Sequence, residues 1–429
     1  MAGALGMPGA AAGSGIAEAP VRYTAKVSVG TRAVGGMRAF AVMHIVANHP
    51  FTAFDKDLAP AWTPGRIDLM SSGSMGLFYI ISGFVLVIGY AQRTLRPGAT
   101  LQESMHGAPE GSPCEDGEGA SGLPVLNAMA FLQGRFARLA PMYYLTSVLA
   151  VLVPAPVTAY QVTPIRTVLM LTGTSTWFFG DPFLVTLWTV QVMFFFYLCF
   201  PALAPRIQRV PPRQLRSLAM GMYVFQVVTY VGGYFLFDGL GVAMPWMRIR
   251  NFPPMRLPVF VMGMCCAMQR LHALHARSEG RPSPADSWVR PGRFCCGLLH
   301  PATGLAIVWV AVMLAFSLAY YMCHQMRTPA RFTLEVALPI LYYEWVYAAT
   351  DPDQAASPVV RFFQSRPMTW IGEVSMCTYM THFLLVAWWT RLVGLLPFWA
   401  PLALPLVSLL VGWFVTHFVE IPLGGLLRP

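Results

Sequence analysis

Hydrophobic residues follow one another along this chain in long runs, without the one-sided stripes of a soluble helical protein. Runs of about twenty apolar residues, the length that a helix needs to cross a bilayer, recur throughout the sequence. They lie at 34–54, 70–90, 137–156, 183–203, 218–239, 256–271, 301–322, 332–350, 370–390 and 400–420. The pattern predicts an all-α membrane protein with about ten transmembrane helices.

Composition agrees with this pattern. Hydrophobic residues make up 56% of the 429 residues and charged residues only 11%, which is far from the usage of soluble domains. The net charge is +10, but most arginines lie in short segments between apolar runs, so we expect a lipid bilayer as partner and no nucleic acid. With the N-terminus in the cytosol, about two thirds of the Lys and Arg residues fall on the inner side, which predicts that both termini are cytosolic.

The chain divides into a tail and one membrane domain. Residues 1–30 are rich in Ala and Gly and have no cationic segment leading into an apolar core, so we predict a disordered N-terminal tail. Residues 31–429 form the predicted membrane domain, and residues 91–127, rich in Gly, Ser, Pro and Glu, form its predicted mobile cytosolic loop. The 8 cysteines contain no CxxC pair, so we expect no metal site.

The first apolar run, residues 36–50, carries unusual polar residues. Arg38 and His49 are separated by about three helical turns and share one face, roughly 16 Å apart along the axis. His44 lies on a different face. Pro50 predicts that the helix ends or kinks where His49 lies. A polar residue at membrane depth indicates a functional site, and a helix-end histidine bonded to a neighbour is the equally weighted alternative.

The third run begins with two arginines on one helical face. Arg135 and Arg138 are three residues apart at the predicted cytosolic end, and Pro141 follows them. Two fixed guanidinium groups suit a phosphate-bearing ligand. Anchoring to lipid headgroups is the alternative.

Several stretches, in chain order, resemble the motifs of the acyltransferase-3 family of multi-pass membrane acyltransferases. Arg38 and His49 match the family's arginine, ten residues, then histidine, and Arg135 to Pro141 match its Arg-x-x-Arg-x-x-Pro. The remaining matches are Ser82, Gly83 and Phe84, residues 256–263, Gly372, Ser375, Tyr379 and His382, and Glu420 and Pro422. The resemblance covers residues 34–429.

The fourth run departs from the family pattern at one position. Trp188, Thr189, Phe196 and Tyr197 match Trp-Ser-Leu-x-x-Glu-x-x-Phe-Tyr, but Met193 stands where the family has glutamate. The missing carboxylate makes a catalytically inactive scaffold of the same fold a real alternative.

Other acids of the chain are candidates to replace that carboxylate. The aspartate that often precedes the first arginine by three residues is Gly35 here. Glu335 and Glu344 are two and a half turns apart and point to opposite faces. Glu344, nearer the middle of its run, is the one plausible substitute, although a structural ion pair is the preferred interpretation for it.

The resemblance implies that the protein transfers an acyl group, expected to be acetyl, from acyl-CoA to a hydroxyl of a carbohydrate or glycolipid. His49 would act as the base, since a neutral imidazole accepts protons near neutral pH, and Arg38 would line the path of the CoA arm. Arg135 and Arg138 would hold the CoA phosphates. No metal is implied. The rival function is a transporter in which His49 and buried arginines line a solute path.

The resemblance also implies further residues of a substrate site. Three of them, Ser375, Tyr379 and His382, share one helical face, which would permit a nucleophile and a base. The preferred interpretation is that they pack and form hydrogen bonds. A covalent step is not needed, because a thioester already supplies an activated acyl group. The full set is Ser82, Trp188, Tyr197, Ser375, Tyr379, His382 and Glu420.

Overall fold

The structure, a computed structural model, describes residues 29–54, 70–94, 127–152, 163–178, 186–242, 245–280, 300–322, 327–393 and 399–427, and these ranges contain no β-strand. In chain order the α-helices are α1 (Arg32–Phe54), α2 (Ser74–Thr94), α3 (Ala128–Leu152), α4 (Pro164–Leu171), α5 (Ser175–Phe178), α6 (Leu187–Gln208), α7 (Pro212–Gly239), α8 (Pro245–Asn251), α9 (Pro253–Ser278), α10 (Pro301–Met322), α11 (Arg327–Ala349), α12 (Pro358–Phe363), α13 (Arg366–Val393), α14 (Ala400–Val415) and α15 (Ile421–Leu427). A π-helical turn, Thr416–Glu420, joins α14 to α15.

The all-α fold class is confirmed within the described ranges. Each predicted span overlaps a long helix, and five helical segments of the described chain are both long and apolar enough to cross a membrane, namely α6, α7, α9, α10 and the segment from Leu402 to Leu427. Ten spans and cytosolic termini remain predictions. The predicted tail and most of the predicted loop 91–127 lie outside the described residues, and α2 continues to Thr94, three residues into that loop.

The first helix does not end at His49. It continues through Pro50 to Phe54, so a helix end at His49 is wrong. Proline lacks an N–H group, so the carbonyl of Val46, one turn earlier, loses its usual donor. Packing of α1 against α2 and α13 provides the tertiary support that lets the helix cross this proline.

Glycines allow the central helices to approach each other closely. A Cβ atom on Gly263 of α9 would lie 2.1 Å from the carbonyl oxygen of Ile80, and one on Gly83 of α2 would lie 2.2 Å from that of Phe260. No larger residue fits at either position without moving the backbone. Small residues at such crossings are how membrane helices gain van der Waals contact, so the glycine of the Ser82–Phe84 motif has a packing role.

Large apolar side chains cover the outside of the bundle. Phe235 on α7, Leu314 on α10 and Leu410 on α14 are 68%, 64% and 64% exposed. Surfaces of this size and character do not persist in water, whereas they match a lipid environment. The protein is an integral multi-pass membrane protein.

An ion cluster ties the end of α9 to the segment after α11. Arg270 and Arg277 donate to the carboxylate of Asp351 at 3.2 and 3.0 Å. Burial alone would raise the pKa of Asp351, but the two guanidinium groups and the amide of Asp353 outweigh it and lower that pKa. This anchor is therefore charged at neutral pH, and its contribution to stability is lost only as the pH falls through the lowered pKa.

Candidate active site

His49 lies beside a second histidine from the far end of the sequence. Nδ1 of His49 is 2.7 Å from Nε2 of His382 on α13, and the two rings stack with centroids 4.9 Å apart. Nδ1 of His382 lies 2.6 Å from the carbonyl oxygen of Tyr379. The three groups form one hydrogen-bonded chain from α13 to α1.

The carbonyl at the end of this chain fixes the positions of the protons. A carbonyl oxygen can only accept, so Nδ1 of His382 carries the hydrogen, and in a neutral ring its Nε2 is then the acceptor. Nδ1 of His49 must donate to that acceptor. The basic nitrogen of His49 is therefore Nε2, which is the orientation that a general base requires.

The two histidines differ in burial, and this difference separates their roles. His382 is completely buried, whereas His49 is half-buried. Tyr379 extends the network, since its hydroxyl lies 2.7 Å from Oγ1 of Thr189 on α6. His49 is thus the less buried of the two histidines, and His382, Tyr379 and Thr189 are the groups around it that hold its orientation.

Arg38 is held by the same helix as His382. Its Nη2 donates to the carbonyl oxygen of Gly372, and a Cβ atom on Gly372 would lie 2.5 Å from the carbonyl oxygen of Gly35, so α1 and α13 touch there. Ser375 also donates to the Gly372 carbonyl, at 2.8 Å. Arg38 and His49 therefore share one face of α1, as their spacing predicts, and that face meets α13. Ser375 has no hydrogen bond to a histidine among the described residues.

Arg135 and Arg138, the predicted phosphate-binding arginines, lie near Tyr197, as does Arg38. The charges of Arg38, Arg135 and Arg138 all act on the hydroxyl of Tyr197 on α6. Arg138 is exposed and Arg135 is half-buried. We call Arg38, Arg135 and Arg138 the arginine triad. It forms one cationic region, open on the side of Arg138, about two to three turns of α1 away from His49.

A groove of about 300 Å³ leads away from this region between α3, α5 and α6. Arg135 and Tyr197 lie at its polar part, and Phe136, Trp177 and Leu198 are among its apolar walls. These three walls are 47%, 39% and 64% exposed, so the groove opens sideways toward lipid.

A second polar cluster lies at the other end of the site and was not predicted as one. Arg256 of α9 donates to the Glu335 carboxylate and, at 2.8 Å, to the hydroxyl of Tyr230, and that hydroxyl donates to the same carboxylate at 2.5 Å. All three side chains are almost completely buried. Arg250 of α8 lies 3.9 Å from the other Glu335 oxygen. We call Arg250, Arg256, Glu335 and Tyr230 the α8–α11 ion cluster.

The ion cluster borders on the histidine pair through Trp188. The guanidinium carbons of Arg250 and Arg256 lie 4.9 and 6.0 Å from the Trp188 ring, and the next residue, Thr189, bonds Tyr379. The sequence did contain a signal for this cluster, because charged residues inside apolar spans are functional candidates. Nothing in the sequence identified which of these charges form pairs.

The predicted substitute carboxylate, Glu344, is not at this site. It pairs with Arg216 at 2.5 Å, so the ion-pair interpretation of Glu344 is confirmed. The carboxylate on the side of the histidine pair is Glu335, which pairs with Arg256. Met193, at the family's glutamate position, is buried on the face of α6 that carries Thr189 and Tyr197, between the histidine pair and the arginine triad.

Three residues from the sequence analysis, Ser82, Glu420 and His44, have other surroundings. Ser82 donates to the Phe78 carbonyl of its own helix at 2.8 Å, and no described contact brings it to His49. Glu420, in the π-helical turn, accepts from the Cys377 thiol at 2.9 Å, and its charge acts on Arg38. His44, which the spacing places on another face, lies 2.7 Å from the Ser74 hydroxyl.

Metal ligands are not grouped in this chain as far as the structure describes it. No cluster of three or more His, Cys, Asp or Glu side chains suited to a metal occurs among the described residues.

Comparison with known proteins gives one result. No curated protein and no solved structure matches the chain. The sequence model of the acyltransferase-3 family, described as an acyltransferase domain, matches residues 32–417, which include Arg38, His49, the arginine pair of α3 and the His382 segment. Because that match extends over nearly the whole chain, from the start of α1 into the π-helical turn, the protein belongs to the acyltransferase-3 family.

Proposed function

We propose that this protein transfers an acetyl group from acetyl-CoA to a hydroxyl of a carbohydrate or glycolipid. Membership of an acyltransferase family supports the general reaction. The observation that carries the proposal is the hydrogen-bonded chain from the Tyr379 carbonyl through His382 to His49. It holds the imidazole of His49 with its basic nitrogen in a defined position, as deprotonation of a hydroxyl requires.

The reaction needs a single proton relay. Nε2 of His49 takes the proton of the acceptor hydroxyl as that oxygen attacks the thioester carbon. The carbon–sulfur bond then breaks, the acetyl ester remains on the acceptor, and the CoA thiolate takes the proton back from His49. His382 keeps the His49 ring oriented through both transfers and accepts a hydrogen bond from the imidazolium, so it is a positioning residue.

The arginine triad suits the CoA end of the donor. Phosphates carry several negative charges, and arginine binds them with two parallel hydrogen bonds. The exposed position of Arg138 and the half-buried position of Arg135 form an opening for a soluble nucleotide. Arg38 lies deeper and continues the path toward His49, which fits the thioester arm.

Replacing Arg135 or Arg138 with alanine is expected to raise the KM for acetyl-CoA about tenfold or more and to change kcat little. Contacts made equally in the ground state and the transition state affect KM alone. The measurement is initial rate against acetyl-CoA concentration. Arg206→Ala is the matched control, because Arg206 bonds its own helix at Ala202. Equal losses in kcat and kcat/KM would contradict a role confined to holding phosphates.

A carboxylate restored at the family position is expected to raise activity. Tyr197, one turn beyond Met193, is within reach of the charge of Arg38, so a glutamate at 193 should meet a cation. We expect Met193→Glu to fold, to melt within a few degrees of the wild type in detergent, and to increase transfer. A loss of several kcal/mol in the free energy of unfolding, as for a buried charge without a partner, would contradict this expectation.

The proposed reaction predicts a difference between cells with and without the gene. Carbohydrates or glycolipids from cells that contain it should carry an O-acetyl group that the deleted strain lacks, and wild-type protein supplied on a plasmid should restore it, whereas His49→Ala should not. An unchanged O-acetyl profile with altered uptake of a solute would instead support a transporter, and restoration by His49→Ala would support a scaffold.

A further inference from the structure

The α8–α11 ion cluster has an imbalance of charge. The salt bridges of Arg250 and Arg256 in the described chain both end on one carboxylate, Glu335. Arg256 takes the closer position, with its Nη2 on the carboxylate and its Nε bonded to the Arg250 carbonyl at 2.8 Å. One carboxylate therefore pairs with two guanidinium groups, and the ion pair of Arg250 is the longer one, at 3.9 Å.

Arg250 is held in position by aromatic rings. Its guanidinium carbon lies 4.9 Å from the centre of the Trp188 ring and 5.4 Å from that of Trp246. Its polar contacts among the described residues, to Asn251 at 3.2 Å and to Glu335 at 3.9 Å, both use Nε. The rings and Nε hold the group in place, and neither Nη has a hydrogen bond or ion pair with a described residue. A guanidinium held in this way can bind an anion through its Nη atoms.

Arg250 lies beside the proposed reaction centre, since its guanidinium contacts Trp188 and the next residue, Thr189, bonds Tyr379. Its charge acts on the imidazole of His49 and on the hydroxyl of Tyr379, and the charge of Arg331 on α11 also acts on His49. Trp188 and Tyr197 are about 13 Å apart along α6, so Arg250 and the arginine triad lie at opposite ends of the site. The donor phosphates and the group bound by Arg250 would therefore belong to different molecules.

We propose that Arg250 binds an oxyanion of the acceptor, so that the acceptor is an anionic sugar carrying a carboxylate or a phosphate. This inference rests on the proposed acyl transfer and names the class of its second substrate. Arg250 is half-buried, and a neutral sugar that covered it would leave a partly compensated charge without water, which is costly. An anionic acceptor supplies the missing charge and places its hydroxyl near His49.

Binding of small sugars to the full-length His49→Ala protein in detergent tests this inference without turnover. The probes are glucuronic acid, its methyl ester and glucose 6-phosphate, measured by calorimetric titration. We expect at least one anionic probe to bind about tenfold or more tightly than the ester, the difference that a charged hydrogen bond makes. A preference for glucuronic acid would identify a carboxylate, and a preference for glucose 6-phosphate would identify a phosphate.

Variants of the short helix α8 locate the effect. Arg250→Gln should abolish the preference for the anion, whereas Arg248→Gln should retain it, because Arg248 reaches away to the Phe178 carbonyl at 3.4 Å. If Arg250→Gln does not fold, the preference of the wild type for the anion still tests the inference. Arg250→Lys is then the second variant, and it should weaken anion binding severalfold because lysine lacks the two-pronged guanidinium. Equal binding of acid and ester, binding of no probe, or equal losses in both glutamine variants would overturn the inference.

The two proposals fail separately. Consumption of acetyl-CoA with a neutral acceptor, together with no preference for an anion, would leave the acyltransferase intact and remove the anionic acceptor. Binding of an anionic sugar through Arg250 without any acyl transfer would keep the anionic ligand and remove the acyltransferase.

Discussion

Replacing His49 with alanine is expected to lower acyl transfer about a hundred- to ten-thousand-fold, the usual contribution of a general base. Expression and membrane insertion should stay near wild type, because the loss of one polar side chain does not weaken the hydropathy of the span. The measurement is the rate of acceptor-dependent CoA release by purified protein at saturating acetyl-CoA.

His44→Ala is the control for this change. It removes the same side chain from the same helix, but His44 faces Ser74 on α2. We expect transfer within a few-fold of wild type for His44→Ala. A His49→Ala enzyme with more than about a tenth of wild-type activity would rule out the proposed base, since general-base catalysis contributes far more than that.

Replacing Glu335 with leucine is expected to cost about 3–5 kcal/mol in the free energy of unfolding. Arg256 and Glu335 are both almost completely buried, so removal of the carboxylate leaves a guanidinium in the protein interior, bonded only to neutral groups such as the Tyr230 hydroxyl. The quantity to measure is the unfolding free energy in mixed micelles, by denaturing-detergent titration.

Two further variants separate charge burial from loss of packing. The double variant Arg256→Met with Glu335→Leu should regain most of the lost stability, because apolar pairs often replace buried ion pairs at little cost. Glu344→Leu should cost about 1 kcal/mol or less, since its pair with Arg216 is partly exposed and exposed pairs contribute little. A Glu335→Leu protein that is as stable as Glu344→Leu would show that Arg256 and Glu335 do not form a buried ion pair.

The sequence predicted local features well, because a membrane imposes strong local rules. An apolar run long enough to cross a bilayer must satisfy its backbone internally, and every predicted span overlaps a long helix of the described chain. The spacing of Arg38 and His49 predicted a shared face, and both contact α13 in the structure. These predictions depend only on helical periodicity.

The partners of those residues could not be predicted, because they come from helices that are distant in the chain. His382 lies 333 residues after His49, and no periodicity within α1 or α13 states that the two helices meet. The arginine partners of Glu335 and Glu344 could not be predicted for the same reason. The ion pair preferred for Glu344 is confirmed, but the positions of α7 and α9 decide which arginine each carboxylate meets.

Pro50 shows where local rules fail. Proline disfavours a helical residue before it, which predicted an end or a kink at His49. The neighbouring helices α2 and α13 pack against α1, and the helix continues to Phe54. Tertiary packing therefore overrides the local preference at the residue that the proposed mechanism uses.

Transfer of labelled acetyl from acetyl-CoA by the purified wild-type protein tests the central claim most directly. The protein is reconstituted in vesicles with carbohydrate and glycolipid extracted from cells that lack the gene, and label is followed into hydroxylamine-labile esters. The account predicts one labelled O-acetyl ester formed for each CoA released with wild type, and none above background with His49→Ala. No labelled ester with wild type, or equal labelling with His49→Ala, would contradict it.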